Sequence, residues 1–325
     1  LEPSTAGEAK DFTRAAFSLS EKYDPPVLVR TTTRISHGNG EVPVGNRTEV
    51  ARRPYRKDPG KYVMLPSHGR ALHAKLELER IPALEKEAEN WAQVFEGPDD
   101  LAIITSGAAF LHAREAFKGA TILKLGMTNP VPRKLIKEFA RDKKRILVIE
   151  ELEPYLEEQI RALHIPCEGK NKLPRYGELS VGLLRKAFSD AADEPDTLEL
   201  PPIPPRPPVL CAGCAHRGPF YVLGQLDAIV SGDIGCYTLG ALAPLDAMDT
   251  CMSMGASVGI AHGMAKVMTD GERRRLVSVI GDSTFFHSGI TGLVDVLYNG
   301  GHTTTVILDN RTTAMTGHQE HPGSG

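Results

Sequence analysis

Leu276-Val277-Ser278-Val279-Ile280-Gly281-Asp282-Ser283-Thr284 and, further on, Thr303-Thr304-Thr305-Val306-Ile307-Leu308-Asp309-Asn310 are the stretches that decide the fold. Each is a short β-branched run bounded by small or turn-forming residues, which reads as a buried strand. The interval holds an apolar, helix-like stretch over 288–298 and a Gly300-Gly301 turn. Strand, helix and strand in one sheet make a right-handed crossover with parallel strands. Asp282 and Asn310 then emerge at the same carboxyl edge, where open α/β sheets bind ligands. A carboxylate and a carboxamide are a hard-oxygen pair suited to Mg²⁺, which completes its octahedron with phosphate oxygens and water. Gly281 lets the backbone approach a phosphate closely. Ser283 and Thr284 stand near a helix start, where free N–H groups favour anions. The same spacing also fits a strand-turn-helix in which Asp282 only caps the helix.

Outward from this unit the pattern stays α/β. Residues 228–231 read as a strand and 255–268 as a helix, with Gly255, Gly259 and Gly263 on one smooth face. That face suits close approach to a cofactor or ordinary packing. Ser231-Gly232-Asp233-Ile234-Gly235-Cys236-Tyr237 turns tightly and brings backbone amides to the same sheet edge. Upstream, strands at 101–105, 121–125 and 146–150 alternate with helices at 106–117, 132–140 and 154–163. Such alternation predicts a second open parallel sheet. Nearer the start come a helix over 8–22 ended by Pro25-Pro26, a buried strand at 27–32, and a loop over 38–60. A helix from 69 to 91 follows, which Pro82 splits or kinks. Six prolines between Pro201 and Pro208 make an extended spacer of about 25 Å at ~3.1 Å per residue. An SH3-type ligand is the other use of such a segment.

Composition sets the outer limits. The 325 residues carry 38 Lys+Arg and 41 Asp+Glu, a net charge of −3, which offers no overall attraction to nucleic acid or an anionic membrane. Hydrophobic residues are 41% and charged residues 24%, ordinary for a globular protein. The sequence contains no uninterrupted apolar run of membrane-spanning length and no secretory signal at its start. Five cysteines, an odd number, read as reduced cytoplasmic thiols. Cys211-Ala-Gly-Cys214 lacks a second Cys-x-x-Cys, so a structural metal site there is weakly supported. Leu1 at the start and His321-Pro-Gly-Ser-Gly325 at the end suggest a piece of a longer chain.

Gly281-Asp282 followed by Asn310 resembles the thiamine diphosphate motif, Gly-Asp-Gly and then Asn, with Ser283 as a departure. Three further segments extend the likeness. They are Cys211-Ala-Gly-Cys-Ala-His-Arg217, Gly232-Asp-Ile-Gly-Cys-Tyr-Thr-Leu-Gly240 and Asp309-Asn-Arg-Thr-Thr-Ala-Met-Thr-Gly317. Together they resemble the 2-oxoacid:ferredoxin oxidoreductases, and among these the large (alpha) subunit of the indolepyruvate type.

The resemblance implies a thiamine diphosphate-binding α/β fold with a transketolase C-terminal-like domain. It divides the chain into the end of a pyrimidine-type domain (1–50), a linker and helical segment (51–95), and the transketolase C-terminal-like domain (96–200). A Pro-rich linker (201–208) and the diphosphate-binding domain (209–325) complete it. It implies oxidative decarboxylation of aryl pyruvates to acyl-CoA with ferredoxin as acceptor, beside a smaller beta subunit and coenzyme A. Thiamine diphosphate and Mg²⁺ are the implied cofactors, with the family's [4Fe-4S] clusters and its pyrimidine-contacting Glu outside this chain. Asp282 and Asn310 would ligate Mg²⁺ by side chain and Thr312 by its carbonyl. Cys214, Gly235, Cys236, Tyr237, Gly255, Gly281, Ser283 and Thr284 would line the cofactor. His216 and His287 are the candidate catalytic residues, each of which could equally be a packed or helix-start histidine. A non-oxidative decarboxylase or synthase, or a non-catalytic diphosphate-binding module, are the alternatives.

Overall fold

A computed structural model describes residues 1–324 apart from 48, 52–53, 99, 189–200, 202 and 205. The chain divides into two compact units, Leu1–Glu199 and Leu200–Gly325. Two positions of the expected proline spacer, 202 and 205, lie outside the described residues.

The first unit opens with α1 (Ala6–Tyr23). Thr5 Oγ1 accepts from Glu8 N at 3.2 Å and the Glu8 carboxylate accepts from Ser4 N at 2.8 Å, a reciprocal cap that satisfies otherwise orphaned amides. Asp24, in the left-handed conformation (φ 65°), stops it ahead of Pro25-Pro26. Short helices α2 (Thr33–His37) and α3 (Pro59–Tyr62) follow. Then α4 (Pro66–Lys75) runs through a wide π-turn at Leu76–Arg80 into α5 (Ile81–Ala88). Pro82 has no N–H to donate back along the helix, and the ladder is loosened where that bond is missing.

Residues 27–32 form no strand, contrary to expectation. Their backbone contacts go to Leu1: Arg30 N donates to Leu1 O, and the Leu1 amino group to Leu28 O. An apolar extended run becomes a strand only beside a partner strand. The free edge next to β3 (Thr121–Leu125) is taken instead by β1 (Ala92–Phe95), antiparallel and not foreseen from the sequence.

The sheet order is β1-β3-β2-β4, with β2 (Leu101–Ser106), β3 and β4 (Arg145–Ile149) parallel. Strand alternation feeds two cores. Ile103 and Leu147 pack with Phe110 of α6 (Ala109–Ala116), and with Leu184 and Phe188 further along the chain. Ala102 and Ile104 pack with Ile136 of α7 (Arg133–Ala140) and Ile160 of α8 (Tyr155–Ala162). Leu184 and Phe188 belong to α9 (Val181–Phe188), which the sequence reading left out.

The second unit contains α10 (Arg217–Gln225), β5 (Ile229–Gly232), β6 (Thr250–Cys251), α11 (Ser257–Val267), α12 (Asp270–Arg273) and β7 (Leu276–Gly281). After β7 the chain enters α13 (Asp282–Thr284), a π-turn at Phe285–Gly289, α14 (Ile290–Tyr298) and β8 (Thr304–Leu308). All four strands are parallel in the order β6-β5-β7-β8. Helix thus begins at Asp282 itself, several residues earlier than its apolar periodicity suggests.

One packing expectation fails. Gly255 precedes α11, in a turn at φ 83°, and an added Cβ on Gly259 or Gly263 would meet nothing within 4 Å. The three glycines therefore do not form a closely packed helical face.

Truncating Leu147, fully buried between strand and helices, should cost about 2–5 kcal/mol. In urea titrations of Leu147→Ala, the transition of the first unit should shift to lower denaturant while that of the second keeps its midpoint.

Candidate functional site

Register decides where the key oxygens go. β7 pairs with β8 in parallel from Val277↔Thr304 to Gly281↔Leu308, so the two strands run out side by side. Asp282 and Asn310 leave at that shared edge, and both line one cavity of about 120 Å³. Thr312 and Thr313 line it from the segment beyond β8, Gly281, Ser283 and Thr284 from the end of β7, and Gly235, Cys236 and Tyr237 from the turn beyond β5.

Asp282 does not cap the helix in the ordinary way. Its Oδ1 accepts from Ser283 N at 2.8 Å, while Oδ2 accepts from Arg311 N at 2.8 Å and from His321 at 3.0 Å. Burial alone would raise this carboxyl. The Ser283 amide, the Asp309 side chain, the Arg311 amide and His321 together hold it below the usual carboxylate range. It is an anion at neutral pH with one lone pair of Oδ1 uncommitted. Asn310 Oδ1 accepts from Thr312 N at 3.2 Å and likewise keeps a lone pair.

Ser283, the departure from Gly-Asp-Gly, has a local use. Its hydroxyl accepts from Thr313 Oγ1 at 2.8 Å and ties the segment beyond β8 to the end of β7.

His216 lies opposite. It is 5% exposed, and neither ring nitrogen has a hydrogen-bond partner. Burial pushes the imidazole below the ordinary histidine value, against the opposing pull of Asp282. It is neutral, with one donor and one acceptor unspent at the cavity wall, and unpaired buried polar atoms of this kind are rare. The Cys211–Arg217 motif sets its position. Cys214 N donates to Cys211 O at 3.1 Å, Gly213 takes φ 72°, and Arg217 donates to the carbonyls of Leu210 (2.5 Å) and Cys211 (3.1 Å). The Tyr237 ring meets the imidazole edge to face, 5.8 Å between centroids.

Tyr237 explains two glycines. A Cβ on Gly235 would lie 2.5 Å from its Cε1, and a Cβ on Gly281 would run into the same ring. Gly281 is therefore needed for the tyrosine as much as for any approaching ligand. The phenol donates to Ile234 O at 2.9 Å, with Thr284 Oγ1 3.3 Å away, and burial pushes its pKa up to about 12.

Sequence reasoning missed Asp233. Fully buried, it accepts from Ile234 N and Gly255 N at 2.8 Å and from Ser257 N at 3.0 Å, joining the turn beyond β5 to the start of α11. The signal was there: Gly232-Asp233 ends β5 as Gly281-Asp282 ends β7. Other expected residues fall elsewhere. His287 is exposed, bonded to Ser288 Oγ at 3.1 Å, and does not line the cavity. Cys214 and Gly255 are not lining residues; they support His216 and the Asp233 tie. Burial, with Cys214 and Cys211 nearby, raises the Cys236 thiol, so it is protonated at neutral pH.

A larger cavity of about 720 Å³ lies in the first unit. Its carboxylates are already engaged: Glu2 by Ser106, Thr128 and Arg30, and Glu150 by the amides of Leu156 and Glu157. It keeps one unpartnered hydroxyl, Thr32 Oγ1, whereas the smaller cavity has an imidazole with both nitrogens unpaired. Among the described residues no three or more His, Cys, Asp or Glu side chains cluster as a metal site.

Comparison with known proteins bears on the second unit and on the chain as a whole. Residues 233–325 match the thiamine pyrophosphate enzyme, C-terminal TPP binding domain. The chain is similar to indolepyruvate oxidoreductase subunit IorA of Methanothermobacter thermautotrophicus, 42% identical across 99% of this chain and 56% of the relative. It is 38% identical to the same subunit of Archaeoglobus fulgidus across 100% of this chain and 56% of that one. The chain thus spans little more than half the length of these curated relatives. These matches bear out the resemblance carried by the four motifs. A 2-oxoglutarate:ferredoxin oxidoreductase structure from Magnetococcus marinus, with 2-oxoglutarate, coenzyme A and succinyl-CoA bound, matches at TM-score 0.27 and 20% identity. It covers 32% of this chain and 20% of that one, too little to bear on fold or function. No helix among the described residues is long and apolar enough to cross a membrane.

Tyr237 supplies a pH test. Its folded pKa stands above the unfolded value of about 10, so its contribution to stability is complete below about 10 and is lost as pH rises toward about 12. Denaturation midpoints measured across that range should fall more steeply for the wild type than for Tyr237→Phe. Gly281→Ala, which overpacks the ring, should lose about 1–3 kcal/mol in the same measurement.

Proposed function

We propose that this chain carries the diphosphate- and Mg²⁺-binding part of a thiamine diphosphate-dependent oxidoreductase. The reaction is oxidative decarboxylation of aryl pyruvates, indolepyruvate among them, to the acyl-CoA with ferredoxin as acceptor. The observation that carries the reading is the pairing of Asp282 and Asn310, each with a free lone pair on Oδ1, at the ends of neighbouring parallel strands beside the orphaned His216.

The donor set fits a small hard cation. One ionised carboxylate, one amide oxygen and the Thr312 carbonyl are oxygen ligands of the kind Mg²⁺ takes, leaving positions for diphosphate oxygens and water. Gly235, Cys236, Gly281, Ser283 and Thr284 form the walls around the diphosphate. His216, neutral, offers its N–H to an anionic oxygen without adding a charge that would over-stabilise the ground state. Thiamine diphosphate, when bound, supplies a nucleophilic carbon and an electron sink for loss of carbon dioxide from a 2-oxoacid. Tyr237 fills the space behind Gly235 and Gly281 and excludes water from the wall.

A cavity of about 120 Å³ is small beside the roughly 300–1,000 Å³ of most ligand pockets. It suits one end of the cofactor, with the pyrimidine end covered by a separate pyrimidine-type domain. The first unit, from 96 onward, fits the transketolase C-terminal-like role. The smaller beta subunit, ferredoxin, coenzyme A and the family's [4Fe-4S] clusters complete the reaction. The free thiols of all five cysteines suit a reducing, cytoplasmic setting.

Calorimetric titration of the full-length protein with thiamine diphosphate, with and without Mg²⁺, tests the reading. Tight binding should require Mg²⁺, and Asp282→Ala should weaken it at least tenfold. Unchanged binding in that variant would refute the metal clamp.

A further inference from the structure

We infer that His321 is a positioning residue for the cation site: its Nε2–H holds Asp282 Oδ2 and leaves Oδ1 as the single oxygen presented to the metal. The inference rests on the cation reading above and assigns a function to a residue which that reading does not use.

The tautomer follows from the hydrogen bonds. Gly323 N donates to His321 Nδ1 at 3.1 Å, so Nδ1 is the acceptor and the ring proton sits on Nε2, which faces Asp282 Oδ2 at 3.0 Å. Oδ2 also receives Arg311 N at 2.8 Å, which uses both its lone pairs. Oδ1 receives Ser283 N, and Asp309 Oδ1 shares the Arg311 N–H at 3.0 Å. The two oxygens of one carboxylate are therefore unequal, and the inequality is built by residues 29 and 39 positions away.

The imidazole is itself held. Its side chain is 5% exposed and its ring lies 6.2 Å from that of Phe286, at 33°. A tight turn fixes its backbone: His321 N donates to Ser324 Oγ at 3.0 Å, Ser324 Oγ to His321 O at 2.8 Å, and Ser324 N to the same carbonyl at 2.9 Å. Asp282 and Asn310 line the cavity whereas His321 does not, so its bond does not compete for the face turned to a ligand.

Outer hydrogen bonds of this kind orient ligating carboxylates and are typically worth about 10–100-fold in metal affinity. They also bear on ion choice. A carboxylate with one oxygen tied down binds through the other alone, which suits octahedral Mg²⁺. Ca²⁺ accepts bidentate carboxylates and more ligands.

The test uses the full-length protein with saturating thiamine diphosphate, titrated calorimetrically with Mg²⁺ and with Ca²⁺. Bound Mn²⁺ is followed by electron paramagnetic resonance, and folding is checked by circular dichroism. His321→Ala should bind Mg²⁺ about 10–100-fold more weakly, lose less affinity for Ca²⁺, and broaden the Mn²⁺ spectrum. His321→Gln, which restores an N–H at the same reach, should recover most of the Mg²⁺ affinity. Wild-type affinity or tighter in His321→Ala would overturn the inference, because the histidine would then be neutral or a competitor. Equal loss in folded Ala and Gln variants would also overturn it, because ring packing and not the hydrogen bond would be responsible. A wild-type protein that binds no Mg²⁺ with thiamine diphosphate would instead refute the underlying cation reading.

Discussion

Parallel pairing of β7 with β8 is the constraint on which the site depends. Because Gly281 stands opposite Leu308, the next residues of both strands leave the sheet together, and Asp282 and Asn310 are delivered to one cavity. A slip of one residue would turn either side chain to the other face of the sheet. The apolar residues of β7 resist that slip. Val279 packs with Phe220, Val230 and Leu308 on one face, while Ile280 packs with Val258 and Val296 on the other. Core packing thus sets the register, and the register sets the oxygen pair.

Around that pair three turns are laced together by side-chain oxygens. Asp233 binds the turn beyond β5 to the start of α11, Ser283 binds Thr313, and Asp282 binds Arg311 and the 321–324 turn. Each tie spends a polar side chain of the site on a backbone or side-chain donor. His216 on the cavity wall is held in place by Arg217 through the carbonyls of Leu210 and Cys211 yet unpaired at both nitrogens. A buried imidazole left unpaired at a cavity wall is the pattern of a wall prepared for a ligand.

Much of this was legible beforehand. The β-branched runs at 101–105, 121–125, 146–150 and 276–280 became strands because each is apolar enough to be buried on both faces, and the run at 303–308 became the more exposed edge strand beside β7. The run at 27–32 has similar composition and did not, because no strand pairs with it. Ala92–Phe95 has a weak pattern and did, because an edge beside β3 could accept it. His216 could be named from its motif, but its isolation could not, since that depends on what else reaches the wall. His287 sits in an equally suggestive motif and faces solvent.

The sequence by itself determined the alternation of strands and helices, the acid and amide past two strand ends, and a motif set that resembles one family along the chain. Those are local facts, written in hydrophobic period and turn chemistry. Only the tertiary structure decided that Gly281 accommodates a tyrosine ring, that Ser283 holds Thr313, that Asp233 ties two turns, and that His321 takes one oxygen of Asp282. These pairs lie from 22 to 44 residues apart, and no local preference reports which distant donor will reach a given acceptor once the sheet has closed.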